Sequence, residues 1–288
     1  MKMSSNISRR LFCSALTLAS FALSFPAQSS DSYAFGSCKP TGRPDSISLA
    51  TLEKDTLTVA TVLPNPGWWN GTSPTTIDSG FEYCLAANIA YRAGLHHVKI
   101  KNMAWDQYIS GTATGYDVAI ASTTITDARK RIFNFSQPYF SSNLGVATKT
   151  SSDVSAANIR TKRVGTLQGN VGADWVARIL KPKSVGVYQS QMDMFTALVA
   201  GQVDAVITDT TLALSQVKAS NGTLHVVGQY NLDQGYGAIT PRGSANTDAV
   251  NKAVGDLVSD GTVRQLSTTY LQPMFGADPS AIPVWSIK

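Results

Sequence analysis

Residues 121–129, Ala-Ser-Thr-Thr-Ile-Thr-Asp-Ala-Arg, hold the side chains of this sequence best suited to recognition chemistry. Ser122 and Thr124 offer hydroxyls, a strand end offers main-chain N–H groups, and Arg129 offers a planar two-pronged donor. Together they make a cradle for a carboxylate, whose two oxygens match the guanidinium fork. A single arginine is more often half of a surface ion pair that contributes little; the pattern around Arg129 weighs towards binding. Two further polar stretches close apolar runs: Gln168, Gly169, Asn170 and Val171 after 163–167, and Thr208 with Asp209 after 203–207. Other chemistries lack their residues. No phosphate-binding glycine loop, G-x-S-x-G, H-E-x-x-H or C-x-x-C occurs. His96, His97 and His225 have no further ligands at metal spacing, so neither a metal nor a cofactor is expected.

These residues need elements to place them. Residues 57–62 read as a strand broken by Pro64 and Pro66, followed by a polar turn over 70–79 where a hairpin fits. Phe81, Leu85 and Ile89 share one face of a helix that starts near Gly80 and stops at Gly94. Strands at 97–100 and 116–121 flank a short helix opening at Trp105. The pattern repeats: strand 163–167, helix 173–180, strand 185–188, helix 191–200, strand 203–207, and then helical residues 247–271 in two pieces. Such alternation predicts an α/β protein with parallel sheets and helices on both faces, here as two lobes joined by 141–148. In open α/β sheets the ligand lies outside the carboxyl ends of the strands. The tips at 64–69, 122–129, 168–171 and 208–209 are therefore expected to converge.

The chain has 288 residues, 43% hydrophobic and 15% charged, which excludes disorder and provides for a large core. Its formal charge of +5 suggests a polyanion partner at first. Lys2, Arg9 and Arg10, however, fall in 1–30, where an apolar run over 11–25 and a small-residue end follow, the pattern of an export signal cleaved near Ser29 or Ser30. Ser8 to Phe12 also fits a twin-arginine signal, the alternative to the general secretory route. Without that segment 21 Lys+Arg face 19 Asp+Glu, a charge of +2, and no nucleic-acid footprint is left. Residues 31–55 read as a polar leader. In an oxidising compartment Cys38 and Cys84 either pair, tying the leader to the first helix, or remain a loose and a buried thiol.

Several motifs stand in a specific order: Gly80, Phe81 and Glu82 with their helix, Trp105 with Asp106, residues 116–118, 124–129 and 135–139, then 163–169, 201–209, 236–239 and 257–261. In that order they resemble the polar amino-acid family of ABC-transporter substrate-binding proteins, bacterial extracellular solute-binding protein family 3, over roughly 55–272. The resemblance implies a type II periplasmic-binding fold, with two parallel-rich sheets joined by two hinge strands. Lobe 1 would comprise 56–142 with 240–288, and lobe 2 would comprise 143–239. It implies a periplasmic monomer that captures an amino acid or close derivative and hands it to a membrane permease. Arg129 would hold the α-carboxylate with Thr124 and groups near Ser122, and Asp209 would take the α-ammonium. Trp105 and Trp68 or Trp69 would wall the ligand side chain. Two departures stand out. Cys84 is found where the family often has an acid, a structural change. Asn170 or Val171 follows Gly169 where the family has a Ser or Thr. This removes a hydroxyl donor, for which Asn170 or the backbone N–H groups would substitute, and leaves room for a modified or opine-like amino acid. The absence of an acid near the Trp68 loop disfavours Arg or Lys as cargo. A few relatives dehydrate prephenate or arogenate, so an exported cyclohexadienyl or arogenate dehydratase is the alternative; it needs an acid–base pair that the tips do not supply.

Overall fold

The computed structural model describes Met1 and residues 33–232, 235–276 and 278–287. The chain divides into two units, Met1–Asp31 and Ser32–Lys288, and the fold below is that of the second. The export signal expected over 1–30 lies, Met1 apart, outside the described residues.

Lobe 1 is built on a sheet of five strands in the order β2-β1-β3-β12-β4. β1 (Thr56–Thr61) runs parallel to β2 (His97–Asn102) and β3 (Val118–Ala119). β12 (Ile239–Thr240) returns antiparallel between β3 and β4 (Asn134–Phe135). Helix α1 (Phe81–Arg92) is apolar nearly all round and is almost wholly buried, as such a helix must be. Gly80 starts it at φ 118, with the Trp68 carbonyl oxygen 2.4 Å from where a Cβ would stand, so no other residue fits there. Helices α2 (Trp105–Ile109) and α3 (Asp127–Lys130) stand at the strand tips, and α7 (Thr247–Ser259), α8 (Thr262–Leu266) and α9 (Gln272–Phe275) complete the C-terminal layer.

Lobe 2 has the order β10-β6-β9-β7-β8. β7 (Arg163–Leu167) is parallel to β8 (Ser184–Tyr188) and β9 (Ala205–Asp209), whereas β6 (Leu144–Lys149) is antiparallel to β9 and to β10 (Leu224–Tyr230). Its helices are α4 (Val171–Trp175), continued by a π turn to Leu180, α5 (Gln191–Val199) and α6 (Thr210–Ala219). β6 was expected to be part of the connector; its Leu144, Val146 and Ala147 are instead fully buried in the middle of the sheet. The lobes are joined by a two-stranded antiparallel ribbon, β5 (Phe140–Ser141) and β11 (Gly235–Tyr236).

Both chain ends depart from the sequence reading. Residues 33–55 are part of lobe 1: Phe35 is buried in its core, Asn246 exchanges two hydrogen bonds with the Ala50 main chain, and Cys38 and Cys84 form a disulfide. The closing residues lie against lobe 2 rather than lobe 1. Val284 pairs with Gln229 of β10, and Trp285 packs edge-on against Tyr230 at 5.9 Å. Gly228 makes that seat, since a Cβ there would come within 2.1 Å of the Trp285 ring.

Candidate ligand-binding cleft

The tip after β3 is fixed from inside lobe 1. Glu82 is fully buried, and its Oε1 accepts hydrogen bonds from Ser122 N (2.6 Å), Ser122 Oγ (3.1 Å) and Tyr139 Oη (2.6 Å). Its Oε2 accepts from Trp69 Nε1 at 2.7 Å. Burial pushes the Glu82 carboxyl up, opposed by these four donors. Ser122 is held in the left-handed region at φ 47, and both of its donors face Glu82. This anchor turns the chain so that Thr124 and α3 face the other lobe.

Thr126 caps α3 by accepting from Arg129 N, and the Arg129 side chain folds back into the cleft, only 7% exposed. Arg129 Nη1 donates to the Thr124 carbonyl at 2.8 Å, and Nη2 crosses to the Gly169 carbonyl of lobe 2 at 2.9 Å. The guanidinium carbon lies 5.6 Å from the centre of the Trp105 ring, within cation–π range. Burial lowers the Arg129 pKa, with the Asp209 charge chief among the effects opposing it. Trp105 is half-buried and donates from Nε1 to the Gln168 carbonyl at 2.8 Å. Two side chains of lobe 1 therefore grip consecutive main-chain carbonyls of lobe 2. Gly169, at φ 70, supplies the left-handed turn that presents them.

Across the cleft, β9 delivers Asp209, 1% exposed. Its Oδ2 accepts from Asn170 Nδ2 at 3.2 Å, while Oδ1 is buried without a hydrogen bond. Burial raises the Asp209 pKa, opposed by Asn170, the Arg129 charge and the nearby Tyr236 hydroxyl. Asn170 has two tasks, because its Oδ1 also accepts from Gly172 N at 2.7 Å and caps α4.

The structure thus brings Trp105, Ser122, Asn170 and Asp209 to the wall of one cavity, with Arg129 and the Thr124 carbonyl to which it donates beside it. Val171 opens α4 half-buried and does not line the cavity. Trp68 and Trp69, expected as aromatic walls, are instead core residues of lobe 1 at 0% and 1% exposure. Trp68 packs edge-on against Phe81 and Phe140, and Trp69 is tied to Glu82, so neither lines the cavity. The loop places Leu63, Pro64 and Pro66 at the mouth in their stead. The cavity measures about 820 Å³ and is lined by Trp105 and Ser122 from lobe 1 and by Asn170 and Asp209 from lobe 2. Among its described lining residues only Asp209 ionises; Arg129 lies behind the wall, turned to the Thr124 and Gly169 carbonyls.

Sequence reasoning missed Glu82 and Tyr139 as the anchor of the tip. An acid inside an otherwise apolar helix was the available signal, since burial obliges it to find donors. It also missed the contribution of α5 and α6 to the cavity: the helix at 191–200 was read for its apolar side alone, and no helix was read over 210–219.

The sequence profile of the bacterial extracellular solute-binding proteins, family 3, matches residues 72–273. The L-cystine-binding protein TcyJ of Escherichia coli (strain K12) is 30% identical over 205 residues, covering 69% of this chain and 75% of that protein. The histidine-binding periplasmic protein of Salmonella typhimurium is 27% identical over 209 residues, covering 66% and 78% respectively. Among solved structures, an ancestral arginine-binding protein bound to arginine is similar with a TM-score of 0.67 at 29% identity, covering 75% of this chain and 98% of that one. The profile spans most of the chain, and the chain belongs to the bacterial extracellular solute-binding proteins of family 3.

Proposed function

We propose that this solute-binding protein is exported to the periplasm, where as a monomer it captures an amino acid or close derivative between its lobes and delivers it to an ABC permease. The observation that carries the reading is the placement of two buried opposite charges from different lobes, Asp209 in the cavity wall and Arg129 behind it, with no ion pair between them. Asp209 Oδ1 awaits a donor, which an α-ammonium supplies. The Gly169 carbonyl occupies the acceptor position at Arg129 Nη2 that an α-carboxylate would take, so ligand entry exchanges one acceptor for a stronger, charged one. Thr124 and Asn170 hold these two groups in place, and Trp105 forms the adjoining wall. Hydrogen bonds to charged groups contribute ~1.5–3 kcal/mol each, and micromolar affinity takes about 8 kcal/mol. Two charged anchors together with apolar burial reach that range. The relatives named above bind cystine, histidine and arginine, which supports an amino-acid cargo.

A thermal-shift panel of the twenty amino acids, L-cystine, opines and betaines, run beside a prephenate turnover assay, tests the proposal. At least one zwitterion is expected to raise the melting temperature, prephenate is expected to be left intact, and Arg129→Ala is expected to abolish the shift. A shift undiminished by Arg129→Ala overturns the carboxylate assignment, and product from prephenate favours the dehydratase.

A further inference from the structure

The cavity continues well past the groups that would hold an amino-acid head. At about 820 Å³ it lies near the top of the range that accommodates drug-sized molecules, roughly 300–1,000 Å³. Its far part runs through lobe 2 between α5 and α6. Gln191, Met192, Phe195, Thr196 and Val199 line it from α5, and Leu212, Ser215, Gln216 and Ala219 line it from α6. Within each set the residues recur at helical spacings of three and four, so each helix presents a single stripe to the cavity. The two helices share a core with Ala147 of β6 and Val206 of β9. Both also begin at the cleft, α5 behind its cap Ser190 and α6 directly after Asp209. The groove therefore leads away from Asp209 for the length of α5, whose nine residues span about 13 Å, and Leu224 lines its far part.

Its charge inventory is one-sided. Among the described residues no lysine, arginine, histidine or glutamate lines the cavity, and the single acid, Asp209, stands at the head end. A cationic or anionic extension would lie in the groove without a counter-charge, which is costly beside apolar walls. Met192 and Val199, meanwhile, leave 63% and 54% of their surface exposed. These are large apolar side chains that a bound apolar group would cover.

From this geometry we infer that the α5–α6 groove is a side-chain subsite selecting an amino-acid ligand with a long, uncharged, largely apolar extension. The inference rests on the amino-acid reading above and narrows it. Calorimetry on the full chain with L-alanine, L-norvaline, L-norleucine and L-2-aminooctanoate, with L-lysine and L-glutamate as charged controls, tests it. Affinity is expected to rise about fourfold per added methylene beyond norvaline, the equivalent of burying one CH₂, and lysine is expected to bind at least tenfold more weakly than norleucine. Thr196→Trp and Ala219→Trp, both at exposed helix positions, should each collapse the ratio of 2-aminooctanoate to alanine affinity towards one. An affinity that is flat or falling along the series, or a ratio unmoved by both variants, overturns the groove assignment while the amino-acid reading stands. Binding of no zwitterion at all overturns both.

Discussion

In the proposed function Asp209 is the residue on which recognition turns, because among the described residues it is the only ionisable group lining the cavity and is held almost free of solvent. Burial raises its pKa, so between the unfolded and folded values the native state keeps a proton that the unfolded chain has lost. Its contribution to stability is therefore full below the ordinary aspartate value and disappears as pH rises through the raised one. A ligand ammonium acts in the opposite sense, since it needs the carboxylate. Affinity for a zwitterion should be full above the raised pKa and should weaken as pH falls through it, with Asp209→Asn binding weakly and without that dependence. Isothermal titration from acidic to alkaline pH checks this; an affinity that does not fall towards the acid end in the wild type removes Asp209 from the ammonium site. Glu82 illustrates the other use of a buried acid. With four donors on its two oxygens it reaches no ligand and shapes the tip that carries Thr124 and α3.

At the scale of elements, the cleft depends on how the leader, α1 and α4 are fastened. The Cys38–Cys84 disulfide closes a loop with a sequence separation of 46 between the leader and the buried face of α1. Loops of this size gain about 2–4 kcal/mol from closure, mainly through the unfolded chain. Reduction, or the double variant Cys38→Ser/Cys84→Ala, should lower the unfolding free energy by about that amount in denaturant titration. The ligand-induced shift should survive, because neither cysteine lines the cavity. Loss of binding with little loss of stability would show that the leader shapes the site. α4 is tied to the ligand side more directly. Its cap, Asn170, is also the donor to Asp209, so the helix start and the proposed ammonium site are set by one side chain.

For the whole molecule, the two lobes meet at the strand tips, at the ribbon and where α6 packs on α9, with Leu212 and Leu214 of α6 in the core of lobe 1. Trp105 to Gln168 and Arg129 to Gly169 are side-chain bonds reaching from one strand tip to the other, and the β5–β11 ribbon joins the lobes behind them. A ligand that contacts both lobes stabilises this closed arrangement in proportion to its differential affinity for it. Trp105→Phe keeps an aromatic wall but removes one interlobe bond, typically about 1 kcal/mol. It should raise the Kd about fivefold and enlarge the ligand-free radius of gyration in small-angle scattering, with saturating ligand restoring the wild-type value. Unchanged scattering and affinity would show that the tryptophan does not latch the lobes.

The sequence alone determined what depends on local order. Hydrophobic periodicity placed β1, α1, β7, α5 and the terminal helices, because apolar spacing follows the repeat of each element whatever it packs against. The succession of motifs led to the family, and with it to Arg129 and Asp209. Tertiary structure alone decided which side of each residue is turned to the cleft. Trp68 and Trp69 lie in a loop whose sequence suits a binding wall, and only the packing of Phe81, Phe140 and Glu82 drew them into the core. The leader looked peripheral and the C-terminal tail was placed in lobe 1, until Phe35 and Trp285 found apolar seats far away in the chain. The α5–α6 groove arises because two helices begin at the same edge of one sheet and leave room between them. Long-range proximity of this kind has no local signature, since it is created by the fold that brings distant residues together.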